Sequence, residues 1–400
     1  MTRIAFVLSA LLSLASAQSV DELVREALEN NPSLEGAQAR ITQSRAQKEI
    51  SKNFDNPSIQ LQINDIQTQD ISNRSIEPMQ FESLSIQQKI PFFGKRDARH
   101  EDAQATQRAE ELSLAQLRVT LAAEVKKTAY RIWQIEQEIR IYTDFETLVR
   151  QNEKLYTALV STAASGRHMG IMASQMDLSQ IKITLAGLAE EKERAYADLS
   201  QLCARKVETV ESELSIGRPE TLETYESALS NNFGYRAREA RVRSADARLE
   251  QARLDAYPDV TVQVGYSRRQ SFNDYWSAGV NIPLPIYGTE AAKEQISRAK
   301  VLEQTRERET EYLRLGALMR QKYAEMARAA EVWRIIHDES LPQLQHMFEL
   351  SEASIRNGED LFRFTELLKQ KLQLELQQVR SVAAYRRAQA ELDQLTGKES

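Results

Sequence analysis

The feature that most constrains this chain is an internal repeat: Ala27 to Ile63 lies over Ala228 to Val264 at a constant offset, without a gap. Asn30-Asn31 falls on Asn231-Asn232, Ala39-Arg40 on Ala240-Arg241, Ala46 on Ala247 and Pro57 on Pro258. Ile59, Leu61 and Ile63 meet Val260, Val262 and Val264. Each half reads as a short helix, a medium helix, a proline and an alternating strand. A second alignment, with a slightly shorter loop, sets Pro91-Phe92-Phe93-Gly94 on Pro285-Ile286-Tyr287-Gly288, and both segments open a very long helical stretch. The fold must be built from one unit used twice.

The strand segments carry a period of two. Ile59, Leu61 and Ile63 alternate with Gln60, Gln62 and Asn64, and Val260, Val262 and Val264 with Thr261, Gln263 and Gly265. Their returning partners behave alike: Leu84 and Ile86 interleave with Ser85 and Gln87, and Trp276, Ala278, Val280, Ile282 and Leu284 share a face opposite Ser277, Gly279, Asn281 and Pro283. Phe81, Tyr266, Phe272, Tyr275 and Trp276 lie near the strand ends, where amphipathic rings suit a membrane interface. Periodicity alone is also compatible with a soluble sheet that packs one face on a core.

The remainder is helical. Only 13 glycines and 9 prolines occur in 400 residues, and from Lys95 to about Ser165 both are absent. Leu114, Leu117, Leu121, Val125, Ile132, Ile135, Ile139, Tyr142 and Phe145 recur there at spacings that form a coiled-coil seam. A helix of roughly 70 residues would reach on the order of 100 Å, more than a globular core requires. Gly166 and Gly170 interrupt the pattern before a return through Leu178, Ile181, Leu185, Leu188, Leu199 and Leu202. The second half repeats this plan from about Thr289, with a turn at Asn357-Gly358 and a return through Leu361, Phe364, Leu368, Leu372, Val379, Val382, Leu392 and Leu395. Pro342 is expected to kink the second long helix, because it removes a backbone donor and crowds the preceding turn.

At the N-terminus Arg3 precedes the apolar run Ile4 to Leu14 and the small residues Ala15-Ser16-Ala17, the pattern of a cleaved export signal. The expected organisation is a signal peptide at 1–17, a first repeat at 18–213 and a second at 214–400. Strands are expected near 58–66, 80–90, 259–268 and 275–285, and helical hairpins over 95–205 and 289–397. No later run is long and apolar enough for a membrane-spanning helix. The lone Cys203 supports neither a disulfide framework nor a lipid-modified N-terminal cysteine, so membrane attachment falls to strands. A net charge of −6, from 52 basic and 58 acidic residues interspersed, offers no basic face for nucleic acid. Four strands are too few to close a barrel, and an open sheet edge in lipid leaves unpaired backbone groups costing several kcal/mol each. Identical copies must therefore pool strands: dimers would give roughly eight and trimers roughly twelve, both within the range of outer-membrane barrels.

Several segments together resemble the TolC-like outer-membrane efflux proteins over nearly the whole mature chain. Gln87-Gln88-Lys89-Ile90-Pro91-Phe92-Phe93-Gly94-Lys95-Arg96 is similar to the passage from second strand to first long helix in the heavy-metal, CzcC-like branch. Leu341-Pro342-Gln343, Asn357-Gly358 with Glu366-Leu367-Leu368, and Ala390-Glu391-Leu392-Asp393-Gln394-Leu395-Thr396-Gly397 resemble landmarks of the family's second repeat. The resemblance implies a mainly α chain with membrane β: a TolC-like fold whose homotrimer forms a twelve-stranded β-barrel, four strands per chain, on an α-helical periplasmic tunnel. It further implies a passive duct docked to a periplasmic adaptor protein and an inner-membrane pump of the resistance-nodulation-division class, with heavy-metal cations as cargo. Drug efflux and type I secretion are the alternative cargoes. Many relatives carry a lipidated cysteine where Gln18 stands here, which leaves anchoring to the barrel.

Candidate site residues gather at the helical turns. Glu359 and Asp360 follow Gly358, and repeated by symmetry they would form a carboxylate ring attracting cations at the periplasmic gate; acids in a first helical turn also simply complement the helix dipole. At the other turn His168, Met172 and Met176 share one helical face beside Met169, a donor set suited to monovalent copper or silver, although methionines so spaced also serve packing. His100, His337 and His346 form no zinc spacing, no catalytic constellation or cofactor motif is recognisable, and Arg268 and Arg269 read as solvated loop charges. The reading from a different class is a soluble periplasmic coiled-coil adaptor. Such adaptors usually contain one helical hairpin, whereas here strands and hairpin occur twice.

Overall fold

The computed structural model describes residues 18–159, 166–356 and 361–398. In chain order the helices are α1 (Val20–Asn30), α2 (Pro32–Ser51), α3 (Lys95–Leu159), α4 (Gly166–Leu202), α5 (Leu222–Ala228), α6 (Phe233–Leu254), α7 (Thr289–Ile335), α8 (Leu341–Arg356) and α9 (Leu361–Thr396). The strands are β1 (Gln18–Ser19), β2 (Ser58–Ile63), β3 (Glu82–Ile90), β4 (Val210–Glu211), β5 (Val260–Arg268) and β6 (Tyr275–Asn281). The turn at Asn357-Gly358 and the export signal at 1–17 lie outside the described residues.

Contacts divide the chain into two compact units, and neither follows chain order. One comprises Met1–Glu35, Gln116–Asn232 and Arg314–Ser400; the other comprises Gly36–Ala115 and Phe233–Leu313. Each unit thus takes matching pieces from both halves of the repeat.

The second of these units contains an antiparallel sheet in the order β2-β3-β5-β6. β2 stops where Asp65 takes φ 54°, and β6 stops at Asn281, because Pro283 and Pro285 have no amide to give a neighbouring strand. Each returning strand leads to a glycine in the left-handed region, Gly94 at φ 88° and Gly288 at φ 70°, immediately before α3 and α7. These two glycines are the repeat-related pair of the aligned Pro-x-x-Gly segments. A buried cluster in this unit, Ala109, Leu112, Ala237 and Ala240 with Phe233 packed against it, consists largely of small side chains, which allow helices to approach closely.

The other unit holds the apolar seam. Phe145 and Val149 of α3, Leu178 and Ile181 of α4, and Leu368 of α9 form one buried cluster, flanked by Tyr142, Leu185, Phe348, Phe364 and Leu372. Burial of such side chains stabilises by about 1.5–3 kcal/mol each. α1 starts with a capping box, in which Ser19 accepts from the Glu22 amide and Glu22 accepts from the Ser19 amide. The repeat is visible in hydrogen bonding as well. Asn31 Nδ2 donates to the Leu202 carbonyl near the end of α4 (2.8 Å), and its counterpart Asn232 donates to the Leu395 carbonyl near the end of α9 (3.0 Å).

α4 passes through Gly170 without a break. Between α7 and α8 the helix widens into a π-turn at Ile336–Ser340, where the Leu341 amide donates to the Ile336 carbonyl. Pro342 explains the position: it cannot donate to a preceding carbonyl, and its ring needs room in the turn before it.

Candidate functional site

The strand register determines what the sheet presents on each face, because directly opposed residues point the same way. Ile59, Ile86, Val264 and Ala278 form one cross-strand row, and Leu61, Leu84, Tyr266 and Trp276 form the next. Val262 and Val280 continue that face. The opposite face carries Gln60 with Ser85, Gly265 and Ser277, and Gln87 with Gln263 and Gly279. The apolar face is left uncovered: Leu61 is 79% exposed, Ile59 69% and Trp276 74%; on the polar face Ser85 and Ser267 are buried, whereas Gln60, Gln62 and Ser277 are exposed. A sheet in water places its faces the other way round. Among the described residues β2 and β6 each have one neighbour only, so both edges of this sheet offer unpaired amides and carbonyls.

Where the sheet meets the helices, an ionic cluster fastens the end of β3 to the start of β5. Lys95, first residue of α3, has a side chain only 4% exposed. Its ammonium donates to Asp259 Oδ1 (2.8 Å) and to the Tyr257 carbonyl (2.7 Å), and stands 3.5 Å from Asp255. Asp259 also accepts from the Phe92 amide (3.0 Å) and pairs with Lys89 (3.1 Å), and the Phe92 ring stacks on Tyr257 at 4.7 Å. Burial would raise the Asp259 carboxyl, but the bonds from Lys95, the Phe92 amide and Lys89 outweigh it and bring the pKa down to about 2. The sequence marks Lys95 as the start of a long helix within a family-like segment but gives it no partner. The one available signal was an acid directly after the repeat's proline, Pro258-Asp259, where the first half has Pro57-Ser58.

The loop from β2 to β3 is organised around polar side chains. Gln80, buried, accepts from the Ile76 and Glu77 amides and donates to the Asn73 carbonyl, and Arg74 donates to the carbonyls of Asn64, Asp65 and Phe81. In the β5–β6 loop Arg269 lies over the rings of Phe272 and Tyr275.

Of the residues proposed at the helical turns, Met172 and Met176 lie on α4 with side chains 65% and 74% exposed. The His168 side chain lies outside the described residues, as do Glu359 and Asp360. His100 meets Ser51 Oγ at 3.2 Å, His337 stacks on Trp333 and meets Gln378 Nε2 at 3.3 Å, and His346 faces Glu349, so the structure brings no two of these histidines together. Among the described residues no group of three or more His, Cys, Asp or Glu is arranged to hold a metal ion, and no helix is long and apolar enough to cross a membrane.

A sheet that is apolar outward and unpaired at both edges, joined to long paired helices through a duplicated unit, defines the TolC-like class of outer-membrane channel fold. The chain belongs to the outer membrane efflux protein family, whose sequence profile matches residues 23–201 and 224–398. Solved structures that share its fold include the following three. The outer-membrane channel OprN superposes with a TM-score of 0.78 at 18% identity, over 95% of this chain and 90% of that one. CusC, studied for conformational changes accompanying folding and transmembrane channel formation, gives a TM-score of 0.79 at 15% identity over 96% and 95%. The outer membrane protein VceC of Vibrio cholerae gives 0.77 at 15% over 94% and 96%. No curated protein sequence matches the chain closely enough to count as a relative.

Proposed function

We propose that this chain is the outer-membrane duct of a tripartite efflux system, a homotrimer whose pooled strands close a barrel in the outer membrane and whose helices form the periplasmic tunnel. One observation carries the reading: the apolar rows Ile59–Ile86–Val264–Ala278 and Leu61–Leu84–Tyr266–Trp276 are left uncovered by protein on a sheet whose two edges are open among the described residues. Lipid satisfies the exposed face, and further copies satisfy the edges. The same observation disfavours a soluble adaptor, which would have to bury that face. In this reading the chain has a signal peptide at 1–17 and repeats at 18–213 and 214–400, and is a passive conduit rather than an enzyme. A periplasmic adaptor and an inner-membrane pump deliver its cargo.

The test is a pair of substitutions on neighbouring residues of β2. Leu61→Arg places a cation among lipid chains at a cost of about 2–4 kcal/mol near the bilayer midplane, whereas Gln62→Arg places one on the polar face. Membrane fractionation should show Leu61→Arg lost from the outer membrane and Gln62→Arg retained. Equal retention of both would rule the barrel out.

The cargo we propose is heavy-metal cations, on the resemblance of Gln87 to Arg96 to the CzcC-like branch. Glu359 and Asp360 are proposed as a cation-attracting ring at the periplasmic gate, and His168, Met172 and Met176 as a soft-metal contact at the other turn. Replacing both acids by Ala should reduce single-channel cation preference; an unchanged preference would dismiss the ring. Copper(I) titration of the purified protein and of a Met172→Leu Met176→Leu variant tests the second, which fails if the two bind alike.

A further inference from the structure

In the unit that contains α9, a concavity of about 470 Å³ lies between α7 and α9. Its volume falls in the range that small-molecule sites occupy. Its apolar part is formed by Ala329, Val332, Ala384 and Ala388. Its charged lining is unbalanced: Lys322, Arg328, Arg380 and Arg387 against Glu325 and Glu391.

The acids near Arg387 already have partners. Glu391 is held by Lys322 (2.7 Å) and Lys127 (3.4 Å), and Glu325 by the same Lys322 (3.0 Å). Glu138 takes both prongs of Arg380, at 2.9 and 3.1 Å, and a bond from Gln134 at 2.8 Å. Arg387 and Arg328 are left with no hydrogen bond or ion pair from their guanidinium groups among the described residues, and both line the cavity. Arg387 is half-buried, and burial and the nearby Arg131 disfavour its charge by more than Glu391 and Glu138 favour it. An anion entering here would meet two uncommitted forks, each able to give parallel N–H donors to a carboxylate or a phosphate. It would also offset the burial and the Arg131 charge that now weigh against the Arg387 guanidinium.

We propose that the α7–α9 cavity is a binding site for a small organic anion bearing a carboxylate or phosphate group, with Arg387 and Arg328 as its recognising residues. The site is a property of the helical unit and stands whether or not the cargo of the duct is a metal cation.

The test is calorimetric titration of the full chain, purified in a neutral detergent at low ionic strength, with inorganic phosphate in one arm and succinate in the other. At least one anion should bind saturably, with one site per chain. Arg387→Gln should weaken it by about tenfold or more, Arg328→Gln by a smaller factor, and Arg387→Lys, which keeps the charge but not the fork, by an intermediate one. Arg320→Gln is the control, because Arg320 already pairs with Glu226 at 2.8 Å. Binding in the phosphate arm alone identifies a phosphate site, and in the succinate arm alone a carboxylate site. Saturable binding by neither anion overturns the proposal. So does equal affinity in wild type, Arg387→Gln and Arg387→Lys, or equal loss in Arg320→Gln, which would mean that net charge rather than the cavity is being read.

Discussion

Replacing Asp259 by Asn tests whether the junction between sheet and helices is held electrostatically. The asparagine keeps an oxygen for the Phe92 amide but removes the negative charge that faces Lys95 at 2.8 Å and Lys89 at 3.1 Å. Lys95, 4% exposed, is left with Asp255 at 3.5 Å as its counter-ion. The magnitude follows from linkage: a carboxyl brought from its model value of 3.8 to about 2 contributes about 2 kcal/mol of stability at neutral pH. Because the folded-state pKa is the lower one, that stability is present above pH 4 and is lost as pH falls from about 4 through about 2. Loss of heat-resistant mobility on gels, or urea unfolding after reconstitution, should place Asp259→Asn about 2 kcal/mol below wild type at pH 7. The gap should close near pH 2. Adding Lys95→Met should recover part of the loss, since the buried ammonium is then gone. A variant within about 0.5 kcal/mol of wild type at pH 7, or a gap that persists at pH 2, would refute the electrostatic account.

Asn232→Ala should cost about 1–2 kcal/mol in urea unfolding and more than Asn31→Ala, because Asn232 is buried and its removal strands the Leu395 carbonyl, whereas Asn31 is only half-buried. Gly94→Ala should destabilise more than Gly288→Ala. Both sit at positive φ, but a Cβ at Gly94 would also meet Leu254 Cδ1 at 3.2 Å, while none is met at Gly288; thermal melting of each variant measures the difference. Burial pushes the Cys203 thiol up to about 11, so a maleimide at pH 8 should leave it unlabelled in the folded protein and label it fully in urea.

Much of the architecture is legible in residue order, because it rests on short-range periodicity. The alternation of Ile59, Leu61 and Ile63 with glutamines marks a strand whatever surrounds it, and the seam from Tyr142 and Phe145 to Leu178 and Ile181 marks packed helices. Whether the strand's apolar side faces protein or the exterior is not local information. It emerges only when four strands are placed in register and Ile59, Ile86 and Val264 fall in one row. The ionic cluster escaped for the same reason: Lys95 and Asp259 are remote in sequence, and the repeat offers no second copy of the pair, since Thr289 stands after Gly288. The repeat pointed to Asn31 and Asn232 as equivalent, but their acceptors, Leu202 and Leu395, belong to returning helices and were not visible in the pattern. The two arginines of the α7–α9 cavity that lack a partner among the described residues were invisible as well, because which acids are already taken is decided by helix packing.

The bare margins of β2 and β6 have a consequence for how such a chain reaches its working state. If the chain pools its strands as proposed, a solitary copy entering a bilayer would carry two rows of unsatisfied peptide groups with it, so insertion and self-association would be a single event. The yield of finished channels then rises more steeply than in proportion to the supply of chains. One copy with a spoiled margin would also disable the sound copies that join it, so that a β2 lesion behaves as dominant when both forms are made in the same cell.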